Sequence, residues 1–259
     1  IISESIWNAL DYWMGMGKPI AVDLDDAYQM LPWSNPAKQF WHIRPDMWQG
    51  EMTQGAAIKY LEEGLRKTGA LISPNRNLLA DWSYVCRGYY LQNYAETAWW
   101  TGLPSRAELK AKRGIGDDKI IIGWGGSVSH YDSFWGSGIR EAAERVCKRH
   151  SNVTWLICGN DGRIYDQLPV PFDQKAQQGG VPASEWPQIV KLFDIGVAPL
   201  FGIYDQRRSW IKGIEYSLAG VPWVGTDGEV YRDIGDTGAL VPNGVDAWEA
   251  ALESKIANL

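Results

Sequence analysis

Three cations lie close together in the stretch YDQRRSWIKGIEY, namely Arg207, Arg208 and Lys212, although the whole chain carries a net charge of −6. We predict a helix that begins near Ser209, with this serine as its N-cap. Arg208, Lys212 and Glu215 would then share one helix face, because positions three or four apart are neighbours. Cations beside a helix N-terminus suit a diphosphate, whereas a carboxylate one turn further suits a pair of sugar hydroxyls. The alternative interpretation is a set of surface ion pairs, which contributes little to stability.

A glycine-rich turn follows an apolar run in the stretch KIIIGWGGSVSHYD. Gly125, Gly126 and Ser127 come where backbone amides can approach a ligand closely. Their spacing is neither the GxGxxG of dinucleotide-binding folds nor a Walker A loop. Glycine after a strand also occurs for geometric reasons alone, so ligand contact and a plain turn both remain open. His130, just beyond, is either a ligand-facing side chain or a hydrogen-bonded structural histidine. We interpret the later strand end LICGNDGR as a plain turn.

Three carboxylates follow an early apolar run in AVDLDD, at Asp23, Asp25 and Asp26. A D-x-D at a strand end could bind a divalent cation, or Asp23 could be the nucleophile of a phosphatase resembling haloacid dehalogenases. That phosphatase motif normally continues with Gly-Thr, whereas this chain continues with Asp26 and Ala27, and no convincing downstream lysine and acidic pair follows. We therefore expect no bound metal and interpret the three carboxylates as acceptor-side or structural groups. The phosphatase stays an alternative function.

The elements that must position these residues follow from periodicity. From Lys119 onward, short apolar runs alternate with helical patterns, which is typical of a parallel sheet built from βαβ units. We predict strands at 119–126, 152–160, 175–181, 194–200, 222–226 and 238–242, the third of them at an edge. We predict helices at 133–150, 183–193, 209–220 and 245–259.

The first part of the chain is more helical. We predict helices at 3–17 and 53–69 and strands at 19–26 and 70–74. Two strands do not make a stable sheet alone. We therefore expect residues 1–115 to be a partial N-terminal domain whose earlier strands are absent, and residues 116–259 to be a C-terminal domain. The chain begins at Ile1 without an initiator methionine, which agrees with a missing upstream segment.

Composition excludes some classes of protein. The 259 residues are 45% hydrophobic and 22% charged, an ordinary globular balance. A net charge of −6 disfavours a general binder of nucleic acid or anionic membranes. No apolar run approaches the length of a transmembrane helix. The cysteines Cys86, Cys147 and Cys158 have no metal-ligand or redox spacing, so we expect free thiols and a cytoplasmic protein.

The segment FDIGVAPL, followed by YDQRRSWIKGIEYSLAGVPWVGT, resembles the donor-binding segment of GT-B glycosyltransferases of family 4, also called group 1. The family pattern there is aPL, a short loop, K-S-x-x-K-x-x-E-Y and G-x-P-V. This chain follows it at Arg208, which stands at the first lysine, and at Ser209, Lys212, Glu215 and Tyr216. The resemblance covers residues 119–259 well and residues 19–118 more loosely.

The resemblance implies an α/β fold with Rossmann-like parallel sheets that carry helices on both faces. It implies an enzyme that transfers a hexose from a nucleoside diphosphate sugar, UDP- or GDP-linked, to an acceptor hydroxyl with retention. The acceptor would be a carbohydrate, a lipid-linked molecule or a protein, and no further cofactor would be required. A module that binds nucleotide sugar without catalysis is the remaining alternative.

The resemblance also implies roles for individual residues. Lys212 with the pair Arg207 and Arg208 would neutralise the donor diphosphate, and Glu215 would hold the nucleotide ribose. Gly125, Gly126, Ser127, His130 and Ser209 would contact the donor. Many family members carry two glutamates at a fixed spacing, and the first of these falls on Arg207. Asp205 is the candidate replacement for it, so the group that contacts the sugar stays open.

Overall fold

A computed structural model describes the protein at residues 4–43 and 57–259. Two of the predicted helices, 3–17 and 53–69, begin outside the described residues, at residue 3 and at residues 53–56. Nowhere in the described parts of the chain does a helix combine the length and apolarity that a membrane crossing needs.

The chain divides into two compact units. The first contains residues 1–93 and 203–209, and the second contains residues 94–202 and 210–259. This division differs from the predicted domain boundary at residue 115, and the helix Arg106–Lys112 belongs to the second unit. The physical reason is that its Lys110 ammonium pairs with the buried carboxylate of Asp194 at 2.8 Å.

The first unit contains a parallel sheet flanked by helices. Its elements in chain order are α1 (Glu4–Gly15), β1 (Val22–Asp23), α2 (Ala57–Thr68), β2 (Ala70–Ser73), α3 (Arg76–Asp81) and β3 (Arg87–Tyr90). The described strands pair in the order β1-β2-β3, with Leu71 opposite both Val22 and Gly88. The third strand was not predicted, because its residues RGYY are mostly exposed and lack an apolar pattern.

The core of the first unit lies between α2, β2 and α3. Leu61 and Leu65, one helical turn apart on α2, pack with Leu71 and Leu78, and all four are almost fully buried. Burial of each leucine contributes about 1.5–3 kcal/mol. Tyr204, from the segment 203–209, joins the same core and so ties this late segment to the first unit.

The second unit is built on a parallel sheet that confirms the six predicted strands. They are β4 (Ile120–Gly125), β5 (Val153–Cys158), β6 (Lys175–Gln178), β7 (Ile195–Ala198), β8 (Trp223–Thr226) and β9 (Ala239–Val241). Within the described residues their order is β6-β5-β4-β7-β8-β9, with β6 at an edge as predicted. This is the strand order of Rossmann folds. The second and third strands lie on one side of the first strand, and the fourth to sixth strands lie on its other side.

The helices of the second unit cover this sheet. They are α4 (Arg106–Lys112), α5 (Tyr131–Gly136), α6 (Ile139–Arg149), α7 (Arg163–Gln167), α8 (Trp186–Lys191), α10 (Ile211–Leu218), α11 (Glu229–Arg232) and α12 (Val245–Ile256). The short helix α9 (Gly202–Asp205) belongs, except for Gly202, to the first unit. The predicted helix 133–150 is two helices, because Gly138 between them has a left-handed φ of +88°. Val146 of α6, Trp155 of β5 and Trp248 of α12 belong to one buried hydrophobic core.

The predicted helix 209–220 begins later than expected. α10 starts at Ile211, and Trp210 occupies the N-cap position, so Ser209 is not the cap and Arg208 does not share a helix face with Lys212. The cause is a long-range contact within the first unit. The Asn75 side-chain amide donates to the carbonyl of Arg208 at 3.0 Å and holds that residue outside the helix.

Candidate functional site

A cavity of about 360 Å³ lies at the carboxyl ends of β4, β5 and β6 in the second unit. Backbone-rich turns and a few side chains form its wall, at Gly125, Gly126, Cys158, Gly159, Gly179, Gly180, Val181, Ala183, Trp186 and Glu215. Open parallel sheets bind ligands outside the carboxyl ends of their strands, near the point where the strand order reverses. The cavity therefore lies where the fold favours a ligand.

Glu215 brings a carboxylate to this cavity from the second turn of α10. Trp186, on α8, lines the same cavity. Burial raises the pKa of Glu215 above its usual range, while the neighbouring Trp186 indole and the positive charge of Lys212 act in the opposite direction. An ionised carboxylate only accepts hydrogen bonds. The carboxylate lone pairs can therefore accept from two hydroxyls of a ligand.

Lys212, one turn earlier on α10, is held by His130. The Lys212 Nζ atom lies 3.1 Å from His130 Nε2 and 5.9 Å from the centre of the Trp124 ring. His130 is only 5% exposed, and its Nδ1 lies 3.4 Å from the Ser133 hydroxyl. Because an ammonium only donates, this contact uses His130 Nε2 as an acceptor. The histidine is thus a buried partner of the lysine, which fixes where the lysine charge lies.

The glycine turn after β4 has a packing reason as well as a place in the cavity wall. A Cβ atom on Gly125 would overlap the Trp186 ring, and one on Gly126 would come 2.6 Å from the Trp124 ring. Gly125 therefore makes room for the Trp186 indole in the cavity wall. Ser127 follows as an exposed residue, and its hydroxyl lies 2.7 Å from that of Ser129.

The two arginines of the predicted diphosphate site lie in the first unit and are paired with carboxylates. Arg208 donates to Asp205 at 2.7 Å and to Asp26 at 2.9 Å, and its side chain is only 8% exposed. Burial alone would lower the pKa of Arg208, but the Asp26 and Asp205 carboxylates raise it above its usual range. Arg207 donates twice to Asp81, at 2.9 and 3.1 Å. Their predicted contact with phosphate, and that of Asp205 with a sugar, stay predictions.

The early carboxylates are also part of the first unit. Asp23 is exposed at the end of β1, and Asp26 is engaged by Arg208. Burial, together with the negative charge of Asp26, raises the pKa of Asp25. Across residues 4–43 and 57–259, no group of three or more His, Cys, Asp or Glu side chains is arranged to hold a metal ion. The acceptor-side role of these aspartates stays a prediction.

Several residues of the cavity wall were not singled out from the sequence. Trp186 and the Gly179–Gly180 turn were assigned only to helix and strand ends, and Gly159 was interpreted as a plain turn residue. The signal that could have identified the glycines is their position directly after predicted strands. Glycines directly after two neighbouring parallel strands meet at the same edge of the sheet.

Solved structures of other proteins are similar to this fold, although no protein-family model and no curated protein matches the chain. The structure of HepE (Alr3699) from Anabaena, solved with UDP and glucose, is 13% identical and has a TM-score of 0.63. The match covers 98% of this chain and 66% of HepE, so this chain spans just under two thirds of that protein. WaaG, a glycosyltransferase involved in lipopolysaccharide biosynthesis, is 14% identical with a TM-score of 0.64, over 98% of this chain and 72% of WaaG.

A further similar structure is sucrose-phosphate synthase from Thermosynechococcus elongatus, which is 14% identical with a TM-score of 0.59, over 98% of this chain and 68% of that enzyme. These structures are GT-B glycosyltransferases. At this level of identity the likeness shows the fold alone. The chain therefore has the GT-B fold, with Rossmann-like parallel sheets flanked by helices, as the sequence predicted.

Proposed function

We propose that this chain is part of a glycosyltransferase and that the cavity of the second unit binds its nucleoside diphosphate sugar. The observation that carries the proposal is the Glu215 carboxylate, which lines the cavity at the carboxyl edge of the sheet beside Trp186 and the glycine turns. The shared fold with HepE, solved in complex with UDP and glucose, supports the same class of ligand.

In this proposal Glu215 accepts hydrogen bonds from the two hydroxyls of the nucleotide ribose. Turns made of glycine line the cavity, so backbone groups can approach the nucleotide without interference from side chains. Lys212, fixed by His130, supplies the positive charge that the donor diphosphate requires. Gly126 and Ser127 belong to the turn nearest to His130 and are the proposed contacts for the phosphates or the sugar.

The proposed reaction transfers a hexose with retention. The bond between the sugar's anomeric carbon and the diphosphate oxygen breaks, and a bond to the acceptor oxygen forms on the same face. The acceptor proton leaves with the diphosphate. The Lys212 ammonium stabilises the negative charge that develops on the leaving diphosphate, which is how a fixed cation lowers such a barrier. The donor is UDP- or GDP-linked, and the acceptor is a carbohydrate, a lipid-linked molecule or a protein.

Arg207, Arg208 and Asp205 have a second role in the proposal beside the predicted one. The ion pairs of Arg207 with Asp81 and of Arg208 with Asp26 hold the segment 203–209 within the first unit, and Asp205 pairs with Arg208. To contact phosphate, the arginines would have to give up their hydrogen bonds to these carboxylates or share them with the phosphate. We therefore place Lys212 ahead of both arginines as the diphosphate ligand.

Calorimetric titration with UDP, GDP and ADP tests the proposal. We expect UDP or GDP to bind and Glu215→Ala to weaken that binding by about tenfold or more, because a hydrogen-bonded carboxylate is lost. Glu141→Ala, which removes an exposed glutamate of α6, is the matched control and should leave binding unchanged. Failure of the parent chain to bind any nucleoside diphosphate would refute the proposal. Binding without release of free nucleotide when acceptors are supplied would indicate a non-catalytic module.

A further inference from the structure

Asn160 joins the two loops that follow β5 and β6. Its side-chain oxygen Oδ1 accepts a hydrogen bond from the backbone N–H of Gly180 at 2.7 Å. Because a backbone N–H only donates, the side-chain amide must turn its oxygen towards Gly180. Gly180 is part of the cavity wall, whereas Asn160 is exposed and comes directly after another wall residue, Gly159. The hydrogen bond therefore connects two separate parts of the same wall.

Main-chain pairing between β5 and β6 ends just before this hydrogen bond. The last paired residues are Cys158 and Gln178, and the Gly159 N–H still donates to the Gln178 carbonyl at 2.8 Å. Gly159 itself has a φ of +153°, and a Cβ atom there would overlap the Gly126 carbonyl oxygen. Beyond Gly159, the side chain of Asn160 replaces the main-chain pairing and holds the loop that follows β6.

The loop that follows β6 accommodates this contact because it contains glycine. A Cβ atom on Gly180 would come 2.8 Å from Asn160 Oδ1 and 3.0 Å from Asn160 Nδ2, so a larger residue would push the amide away. The next wall residues, Val181 and Ala183, carry side chains that line the cavity. They follow Gly180 within three positions, so the place of Gly180 determines where these side chains lie.

We infer that Asn160 is a positioning residue, whose side-chain amide holds the loop 179–183 in the place where it contacts the nucleoside of a bound nucleotide. The inference rests on the proposed function, in which Glu215 binds the ribose and Lys212 the diphosphate. Lys212 contacts His130, which follows β4, whereas the loop follows β6, two strands away. The loop is therefore placed to contact the nucleoside rather than the phosphates.

Two substitutions of Asn160 test the inference. Asn160→Ala removes the acceptor, whereas Asn160→Asp keeps an oxygen that can accept from the Gly180 N–H. Calorimetry measures the affinities for uridine and UDP, or for the corresponding pair if the parent binds another base. Loss of one hydrogen bond changes an equilibrium by about two- to tenfold, so Asn160→Ala should weaken uridine and UDP binding by the same factor within this range. Asn160→Asp should restore uridine binding, and the added charge does not repel this uncharged ligand.

Asn152→Ala is the matched control. The Asn152 side chain also makes an exposed hydrogen bond to the backbone, at 2.9 Å from the Asp118 carbonyl, but Asn152 precedes β5 and so lies at the opposite end of that strand from the cavity. Its affinities for uridine and UDP should equal those of the parent. A second measurement needs no ligand. Hydrogen exchange followed by NMR should be about two- to tenfold slower at the Gly180 amide in the parent than in Asn160→Ala.

The outcomes separate this inference from the proposed function. If the parent binds no nucleoside diphosphate, the proposed function fails and the inference fails with it. If the parent binds UDP and Glu215→Ala weakens binding, but Asn160→Ala binds uridine as the parent does, the proposed function stands and the inference about Asn160 is overturned. It is also overturned if Asn160→Asp binds uridine as weakly as Asn160→Ala, or if the Gly180 amide exchanges equally fast in the parent and in Asn160→Ala.

Discussion

The substitution Arg208→Met should destabilise the protein strongly, because it leaves a buried carboxylate without its partner. Asp205 is 2% exposed and accepts from Arg208 at 2.7 Å, and Asp26 accepts from the same guanidinium at 2.9 Å. Methionine keeps most of the aliphatic side chain and removes the guanidinium, which lies 4.6 Å from the centre of the Tyr204 ring, so the change mainly removes the charge. The expected effect is therefore electrostatic rather than a loss of packing.

The magnitude follows from the burial of the pair. Removal of one partner from a buried ion pair costs about 3–5 kcal/mol. In a chain of this size each kcal/mol lowers the melting temperature by about 2–4 °C, which predicts a fall of about 6–20 °C. Arg163→Met is the matched control, because Arg163 pairs with Asp161 at the surface with a side chain 52% exposed. An exposed pair contributes about 0–1 kcal/mol, so the control should melt within a few degrees of the parent.

Differential scanning calorimetry measures both variants, and calorimetric titration with UDP follows on each that folds. The reasoning is refuted if Arg208→Met melts within about 2 °C of the parent, which is below the range expected for a buried pair. If such a stable variant also loses UDP binding, Arg208 is a ligand of the donor phosphate. The prediction made from the sequence would then be correct, and the anchoring role would be wrong.

Three further predictions concern the second unit. Lys212→Ala should weaken UDP binding by about tenfold while it leaves uridine binding nearly unchanged, because only the diphosphate needs the charge, and calorimetry with both ligands checks this. Gly125→Ala should lower the free energy of unfolding by about 1–3 kcal/mol, since the new methyl group meets the Trp186 ring, and denaturant unfolding measures the loss. The hydrogen bond from His150 lowers the pKa of Glu253 below 4.5 against the effect of burial, so its contribution to stability is present above that pH and is lost as the pH falls. Glu253→Gln should therefore make the melting temperature less dependent on pH below about 4.5, as melting curves across pH will reveal.

Strands could be predicted from the sequence where burial on both faces dictates their composition. The runs KIIIGW and NVTWLIC are almost continuously apolar, and both form central strands whose residues are buried. β3 escaped prediction because it lies at the edge of its sheet and exposes Arg87 and Tyr89, so no apolar period marks it. The parallel pairing of the strands in the second sheet followed from the alternation of strands and helices.

The position of some cavity residues could be predicted from the sequence, whereas their contact with a ligand stays a prediction. Glu215 and the Gly125–Gly126 turn do line one cavity, because the local pattern places each of them in the right helix or after the right strand. The start of α10 could not be predicted from local pattern. Arg208 is held by Asp26, 182 positions away in the sequence, and by the amide of Asn75, 133 positions away. Contacts over such separations override a local preference for helix, and periodicity carries no information about them.

A crystal structure of the chain with the nucleotide that binds most tightly, among UDP, GDP and ADP, tests the central claim most directly. The claim predicts ribose hydroxyls within hydrogen-bond distance of the Glu215 carboxylate, with the diphosphate on the side of Lys212. Nucleotide bound elsewhere, with the cavity at the ends of β4, β5 and β6 unoccupied, would contradict it.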